Sequence, residues 1–308
     1  MDDDSVVLAP TLQNALQHAD STRPCVTPAS WVATLSLGFK ADNTRTYLAN
    51  KIHSGPLVIQ KTLHPEGSKV CHGIIIHPPG GVAGGDALTL NVQMAQNAHA
   101  LLTTPGAGKW YKANGAVASQ HLQFELAENA TLEWLPQENI LFDGAALHFS
   151  ADIQLAPTAR YAGWEILCFG RQAKGETWRT GLLKQKLTIK RAQKLIWQES
   201  AHLKAGDRFF ESAIGLGGNV ISGSFVIAAG AVPSHLLAAC QAFQNTGTFG
   251  ADLDRTASFG VTALPEIFSA RYVGMSAQLA RQYFEGLWHI LRPWYVSLPA
   301  ARPRIWNT

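Results

Sequence analysis

Four potential metal ligands crowd one stretch of the chain: His64, Cys71, His72 and His77. Imidazole and thiolate bind zinc or nickel readily once they converge. The spacing argues against convergence. His72 and His77 are an odd number of residues apart, so on one strand they point to opposite faces. His64 has to reach His72 across a turn. The histidines therefore read as satisfied or exposed side chains. Cys25, Cys71, Cys168 and Cys240 are widely spaced and form no Cys-x-x-Cys pair, which excludes a zinc ribbon or a thioredoxin-type motif. Cys168 and Cys240 read as small buried hydrophobes.

Other chemical motifs fail on inspection. Gly106-Ala107-Gly108-Lys109 resembles a phosphate loop, but Thr103 occupies the position of its first glycine. Trp110 stands where a Ser or Thr must hold Mg2+. Gly215-Leu216-Gly217-Gly218 has Val220 at the third fingerprint position and no βαβ context, so it reads as a turn. Neither a GxSxG elbow nor an HExxH pair occurs. Glu133 and Glu138 form an acid pair in sequence alone. An enzyme acting on carbohydrate from a β-helix or sandwich would need two such carboxylates flanking a groove.

The elements that carry these residues are mostly strands. Gly/Pro-rich clusters punctuate the chain at 77–86, 104–112 and 133–144, each entered by a short apolar or alternating run. Trp31 to Phe39, Thr44 to Ile52, Val70 to His77, Ala87 to Val92 and His121 to Leu126 are among the strand candidates. Others are Leu147 to Leu155, Ala159 to Phe169, Leu182 to Arg191, Lys194 to Ala201, Asn219 to Ala229 and Ser258 to Thr262. Glycines in the clusters serve turns or close packing, and Asp86 is placed to cap a turn. Two segments have helical periodicity. One begins at Ser234 after Pro233. The other runs from Ser276 to Leu291, with an apolar stripe of Leu279, Tyr283, Phe284, Leu287 and Ile290, and is expected to end at Pro293. The pattern is mainly β, and by itself leaves sandwich and β-helix open.

Composition bounds the function. Charged residues are 15% of the chain, below the ~25% of an average domain; a partner that covers part of the surface is one remedy. The formal charge of +3 is scattered, which argues against nucleic acid. The start, Met1-Asp2-Asp3-Asp4, is acidic where a secretory signal is basic. No apolar run approaches the ~18–20 residues of a membrane span. The expectation is a cytoplasmic, soluble protein. Residues 1–28 read as a loose extension, and residues 29–308 as a single domain.

The order of short words resembles the urease accessory protein UreD (UreH) family. The words are Gly55-Pro56-Leu57, Cys71-His72, His77-Pro78-Pro79-Gly80-Gly81 with Gly84-Gly85-Asp86, Thr104-Pro105-Gly106 with Lys109-Trp110-Tyr111, and Trp134-Leu135-Pro136-Gln137-Glu138. Gly170-Arg171, Gly175-Glu176, Leu291-Arg292-Pro293 and the closing Pro303-Arg304-Ile305-Trp306 continue it. The resemblance implies an irregular β-helical body with two α-helices toward the C-terminus. It implies a non-catalytic scaffold that bridges urease apoprotein to UreF, and through UreF to UreG, in a hetero-oligomer. It also implies no tightly bound cofactor, with Ni2+ in transit through an internal polar channel. Matched by motif position, the channel candidates are Asp86, Glu165, Glu176 and Glu199. One departure stands out: the family often has a small hydroxyl residue where this chain has Gly108, which removes any polar role there. A generic β-rich binding module would differ from this reading only in its partner.

Overall fold

The computed structural model describes residues 30–245 and 257–307; the expected extension at 1–28 lies outside them, as does Cys25. β1 (Val32–Ala41) and β2 (Thr46–Ser54) form a hairpin. The chain then crosses back and forth between two sheets through β3 (Val58–Ile59), β4 (Cys71–Ile76), β5 (Ala87–Met94), β6 (His99–Thr103) and the short β7 (Gly108–Trp110). It continues through β8 (Ala118–Leu126), β9 (Thr131–Trp134), β10 (Asn139–Leu141), β11 (Ala146–Leu155), β12 (Arg160–Phe169), β13 (Leu182–Arg191) and β14 (Lys194–Lys204). A four-residue helix, α1 (Arg208–Glu211), precedes β15 (Ile221–Ala228). Then come α2 (Ser234–Asn245), the hairpin β16 (Ser258–Ala263) and β17 (Ile267–Gly274), and α3 (Ala277–Val296).

One sheet has the order β14-β13-β11-β8-β5-β1-β2; the other runs β16-β17-β15-β12-β9-β6-β4-β3, with β10 and β7 joined to the side of β12. Within the first sheet β1, β5, β8, β11 and β13 pair in parallel, and so do β4, β6, β9 and β12 in the second. Parallel neighbours need a crossover. Here the crossover is itself a strand of the opposite sheet. The body is therefore a β-solenoid, mainly β as the sequence pattern required, and of the β-helical kind that the family resemblance implied.

Alternation along the strands builds two cores. Leu35, Leu37, Phe39, Val92, Phe124 and Ile153 fill the space between the sheets. The outer face of the second sheet packs on the helices through Leu101, Trp164, Phe225, Tyr283, Phe284 and Trp288. β12 shows the switch residue by residue: Tyr161, Leu167 and Phe169 belong to the inter-sheet core, and Ala162, Trp164, Ile166 and Cys168 to the helix side. Both expected helices form where the periodicity placed them. Ser276 caps α3, accepting the Leu279 N–H at 3.3 Å. The helix does not stop at Pro293. It runs three residues further to Val296, and Ser297 closes it in the left-handed region (φ 58) with its N–H on the Pro293 carbonyl. A proline in the last turn forfeits one helical bond, to the His289 carbonyl. Buried anchors at Arg292 and Tyr295 hold that turn in place.

A carboxylate-lined cavity and a buried ion network

Between the sheets lies a cavity of about 770 Å3. Its wall follows the stack of rungs, from His77 and Leu88 beside β4 and β5 to Glu199 and Arg271 on β14 and β17. Most of the wall is apolar. Polar groups gather where β12, β13, β14 and β15 face one another.

The Trp134-Leu135-Pro136-Gln137-Glu138 word explains why β12 turns polar there. β9 pairs with Arg160 to Gly163 and β10 with Leu167 to Phe169, so the ladder is interrupted beside Trp164, Glu165 and Ile166. A proline cannot donate to the ladder and belongs at such a break. Trp164 Nε1 donates to the Pro136 carbonyl at 2.8 Å, on the helix side. Glu165 has the opposite parity and lines the cavity. Its carboxylate accepts from Asn139 Nδ2 at 3.4 Å and from Gln185 Nε2 on β13. Asn139 is positioned in turn by Trp110 Nε1, which donates to its Oδ1 at 2.9 Å. Gly108 leaves room for this: a Cβ there would stand 2.5 Å from Asn139 Oδ1. At the first cluster Gly81 has the same use, since a Cβ would meet the Tyr111 ring at 2.5 Å.

Glu199 is the second acid on the wall. Its Oε1 accepts from Trp197 Nε1 at 2.7 Å and lies 2.6 Å from Arg271 Nη2; Ser224 Oγ is 3.4 Å from Oε2. Burial, with the Glu199 charge adding to it, pushes the Glu165 carboxyl up to about 7. At neutral pH this group both holds and releases a proton.

The other two sequence-selected acids lie elsewhere. Asp86 braces a turn: Oδ1 accepts the Trp31 N–H and Oδ2 the Ala83 N–H, both at 2.8 Å. Glu176 sits in the loop after β12. It accepts the Asp143 N–H at 2.9 Å and pairs with Arg171, whose Nε is 2.8 Å away. The Arg171 hydrogen bond lowers its carboxyl below the ordinary value. Neither residue lines the cavity. The structure thus brings Glu165 and Glu199 together and places Asp86 and Glu176 apart from them. Sequence reasoning passed over Gln185, Ser224 and Arg271, which carry no motif; only the parity of correctly placed strands reveals them.

The histidines meet different fates. His64 Nε2 donates to the Thr46 carbonyl at 2.7 Å. His77 lines the cavity, and burial lowers its pKa against the pull of Asp86. His72 faces α3, where a second acid cluster is built. Its Nε2 lies 2.5 Å from Glu66 Oε1. Glu66 and Glu133 flank the wholly buried Arg292, with Arg292 Nη2 2.9 Å from Glu133 Oε2 and from Glu66 Oε1. Trp288 Nε1 at 2.8 Å, Tyr295 Oη at 2.7 Å and His99 Nε2 at 3.0 Å complete the shell of Glu133. Burial alone would raise the Glu133 carboxyl, but the His99 hydrogen bond and the Arg292 charge hold it far below the carboxylate range. Glu138 pairs instead with Arg281 at 3.3 Å. Glu133 and Glu138 are thus each held by a different arginine of α3 rather than flanking a groove together. Among the described residues, no three His, Cys, Asp or Glu side chains converge to hold an ion, and no helix is long and apolar enough to cross a membrane.

A two-sheet, largely parallel solenoid, flanked on one side by helices and enclosing a mostly apolar cavity that holds two carboxylates, defines the molecule by class: a β-solenoid protein. The sequence model of the UreD urease accessory protein family matches residues 32–307. Urease accessory protein UreD of Methylobacillus flagellatus is 56% identical over 278 residues, 90% of this chain and 95% of that one. The UreD proteins of Dechloromonas aromatica and of an Azoarcus species are 45% and 40% identical, covering 91% and 90% of this chain and 95% and 94% of their own. The chain belongs to the UreD urease accessory protein family. It is an accessory protein with a role in urease maturation, not an enzyme.

Proposed function

We propose that this chain acts in the cytoplasm as the bridge of a urease maturation complex, and that Ni2+ crosses it through the cavity between the sheets. In this reading it binds urease apoprotein and UreF, and reaches UreG through UreF. The observation that carries the ion route is the pair Glu165 and Glu199, which line one cavity from its two sheets. Ni2+ accepts oxygen and nitrogen ligands. A conduit must attract the ion and still release it, so its ligands should be few and never complete a cage. Two carboxylates backed by Gln185, Asn139 and Ser224 meet that description. Glu165 adds a proton balance: near pH 7 an arriving cation displaces its proton, and a departing one lets it return. Asp86 and Glu176, which brace a turn and a loop away from the cavity lining, are not part of this pair.

Reconstitution tests the bridge. Urease apoprotein, UreF and UreG are mixed with Ni2+ and GTP, with and without this chain. The expected result is one assembly that contains the chain, and urease that stays nickel-poor when it is omitted. Full nickel loading without the chain, or no association with UreF and urease apoprotein, would overturn the proposal.

A further inference from the structure

An arginine is out of place on the wall of a route for a divalent cation. Arg271 nevertheless lines the cavity, and its Nη2 lies 2.6 Å from Glu199 Oε1. The register of the last strands puts it there: Arg271 on β17 stands opposite Ser224 on β15, and Ser224 reaches the same carboxylate. The two oxygens of Glu199 are unequally engaged. Oε1 receives Trp197 Nε1 at 2.7 Å and the guanidinium, whereas Oε2 has Ser224 Oγ at 3.4 Å. Glu165, opposite Ser224 in the same row across β12, β15 and β17, is held by two amides, Asn139 and Gln185. One carboxylate of the pair is therefore matched by a fixed charge and the other is not.

A guanidinium does not lose its proton at any accessible pH, so it cannot make way for a cation by titrating. It can only move. The Arg271 side chain is 51% exposed and that of Glu199 21% exposed, so the pair has room to part. Two unmatched carboxylates would hold a divalent ion firmly, and like-charge competition from the guanidinium weakens that hold. Building on the reading of the cavity as the nickel route, we propose that Arg271 is a displaceable counter-ion. It neutralises Glu199 until Ni2+ arrives, swings aside, and by its return favours onward release. It acts through Glu199 and is a positioning residue for the cargo.

The test uses the purified full chain and Ni2+ alone. Calorimetric titration gives the affinity, and stopped-flow transfer to a chelating dye gives the release rate. Arg271→Gln and Arg271→Met should each bind Ni2+ about tenfold more tightly and release it correspondingly more slowly, with thermal unfolding unchanged. Arg271→Lys keeps the charge and should behave like the parent. The double variant Arg271→Gln with Glu199→Gln should lose the gain. A role limited to stability would lower affinity or leave it alone, so unchanged or weaker binding in both neutral variants overturns the inference. The underlying reading fails separately. If Glu165→Gln with Glu199→Gln binds Ni2+ as the parent does, the cavity is not the route. If that pair loses binding while Arg271→Gln leaves it unchanged, only the counter-ion role falls.

Discussion

Glu133 and Glu165 lie on neighbouring strands of one sheet, and their carboxyl groups are driven in opposite directions. Glu133 on β9 faces α3 and is wholly buried among Arg292, His99, Trp288 and Tyr295, which hold it ionised. Glu165 on β12 faces the cavity, where burial and the Glu199 charge push its carboxyl up to about 7 against the pull of two amide donors. Parity on the strand decides which environment each receives. The saturated cluster locks the helix onto the sheet. The under-supplied one keeps a carboxyl that titrates near neutrality and faces the cavity.

Breaking the saturated side should have the largest effect. Arg292→Met leaves Glu66 and Glu133 buried without their shared cation, and removing one member of a buried charge cluster costs about 3–5 kcal/mol. Urea unfolding should show that loss, with part of it recovered when Glu133→Gln is added. A loss under 1 kcal/mol would mean that the network does not anchor α3.

The cavity side should appear as a pH dependence of opposite sign to the usual carboxylate. The folded value of Glu165 is raised from 4.5 to about 7. The folded state therefore holds a proton that the unfolded state has lost between those limits. Its stability contribution is fully present below pH ~4.5 and is lost as pH rises through ~7, by up to roughly 3 kcal/mol. Glu165→Gln keeps the shape and removes the titration. Its stability relative to the parent should rise between pH 5 and pH 8, as read by denaturant unfolding at both. A constant difference would place Glu165 in an ordinary environment. Glu133 has the reverse sign: its contribution is present above the unfolded value and is lost in acid.

Asp86 and Glu176 sharpen the contrast at smaller size. Asp86→Ala deletes the acceptor of two backbone N–H groups and should lower stability by about 1–3 kcal/mol. Ni2+ transfer per folded molecule should be unchanged. Glu176→Gln weakens an exposed ion pair and should shift stability by less than about 1 kcal/mol. A specific loss of transfer in either variant would extend the route beyond the cavity wall.

Much of this architecture was legible from residue order. Alternating runs such as Trp31 to Phe39 and His121 to Leu126 marked strands because one face is buried and the other wet. β17 escaped, since nearly all of Ile267 to Gly274 is covered and no alternation survives. With it went Arg271. β10 was hidden inside a Gly/Pro-rich word whose proline serves a ladder break rather than the end of a sheet. The helix end at Pro293 was misplaced because local propensity yielded to the buried Arg292 cluster, whose partners Glu66 and Glu133 lie far back in the chain. Glu165 and Glu199 came from motif position. Their meeting follows from register across the two sheets, which no local pattern encodes.

The most direct measurement is the nickel content of urease matured in a reconstituted complex carrying Glu165→Gln and Glu199→Gln together. The account predicts an assembly that forms as the parent's does, with urease that receives little nickel. Full loading by that double variant would contradict it.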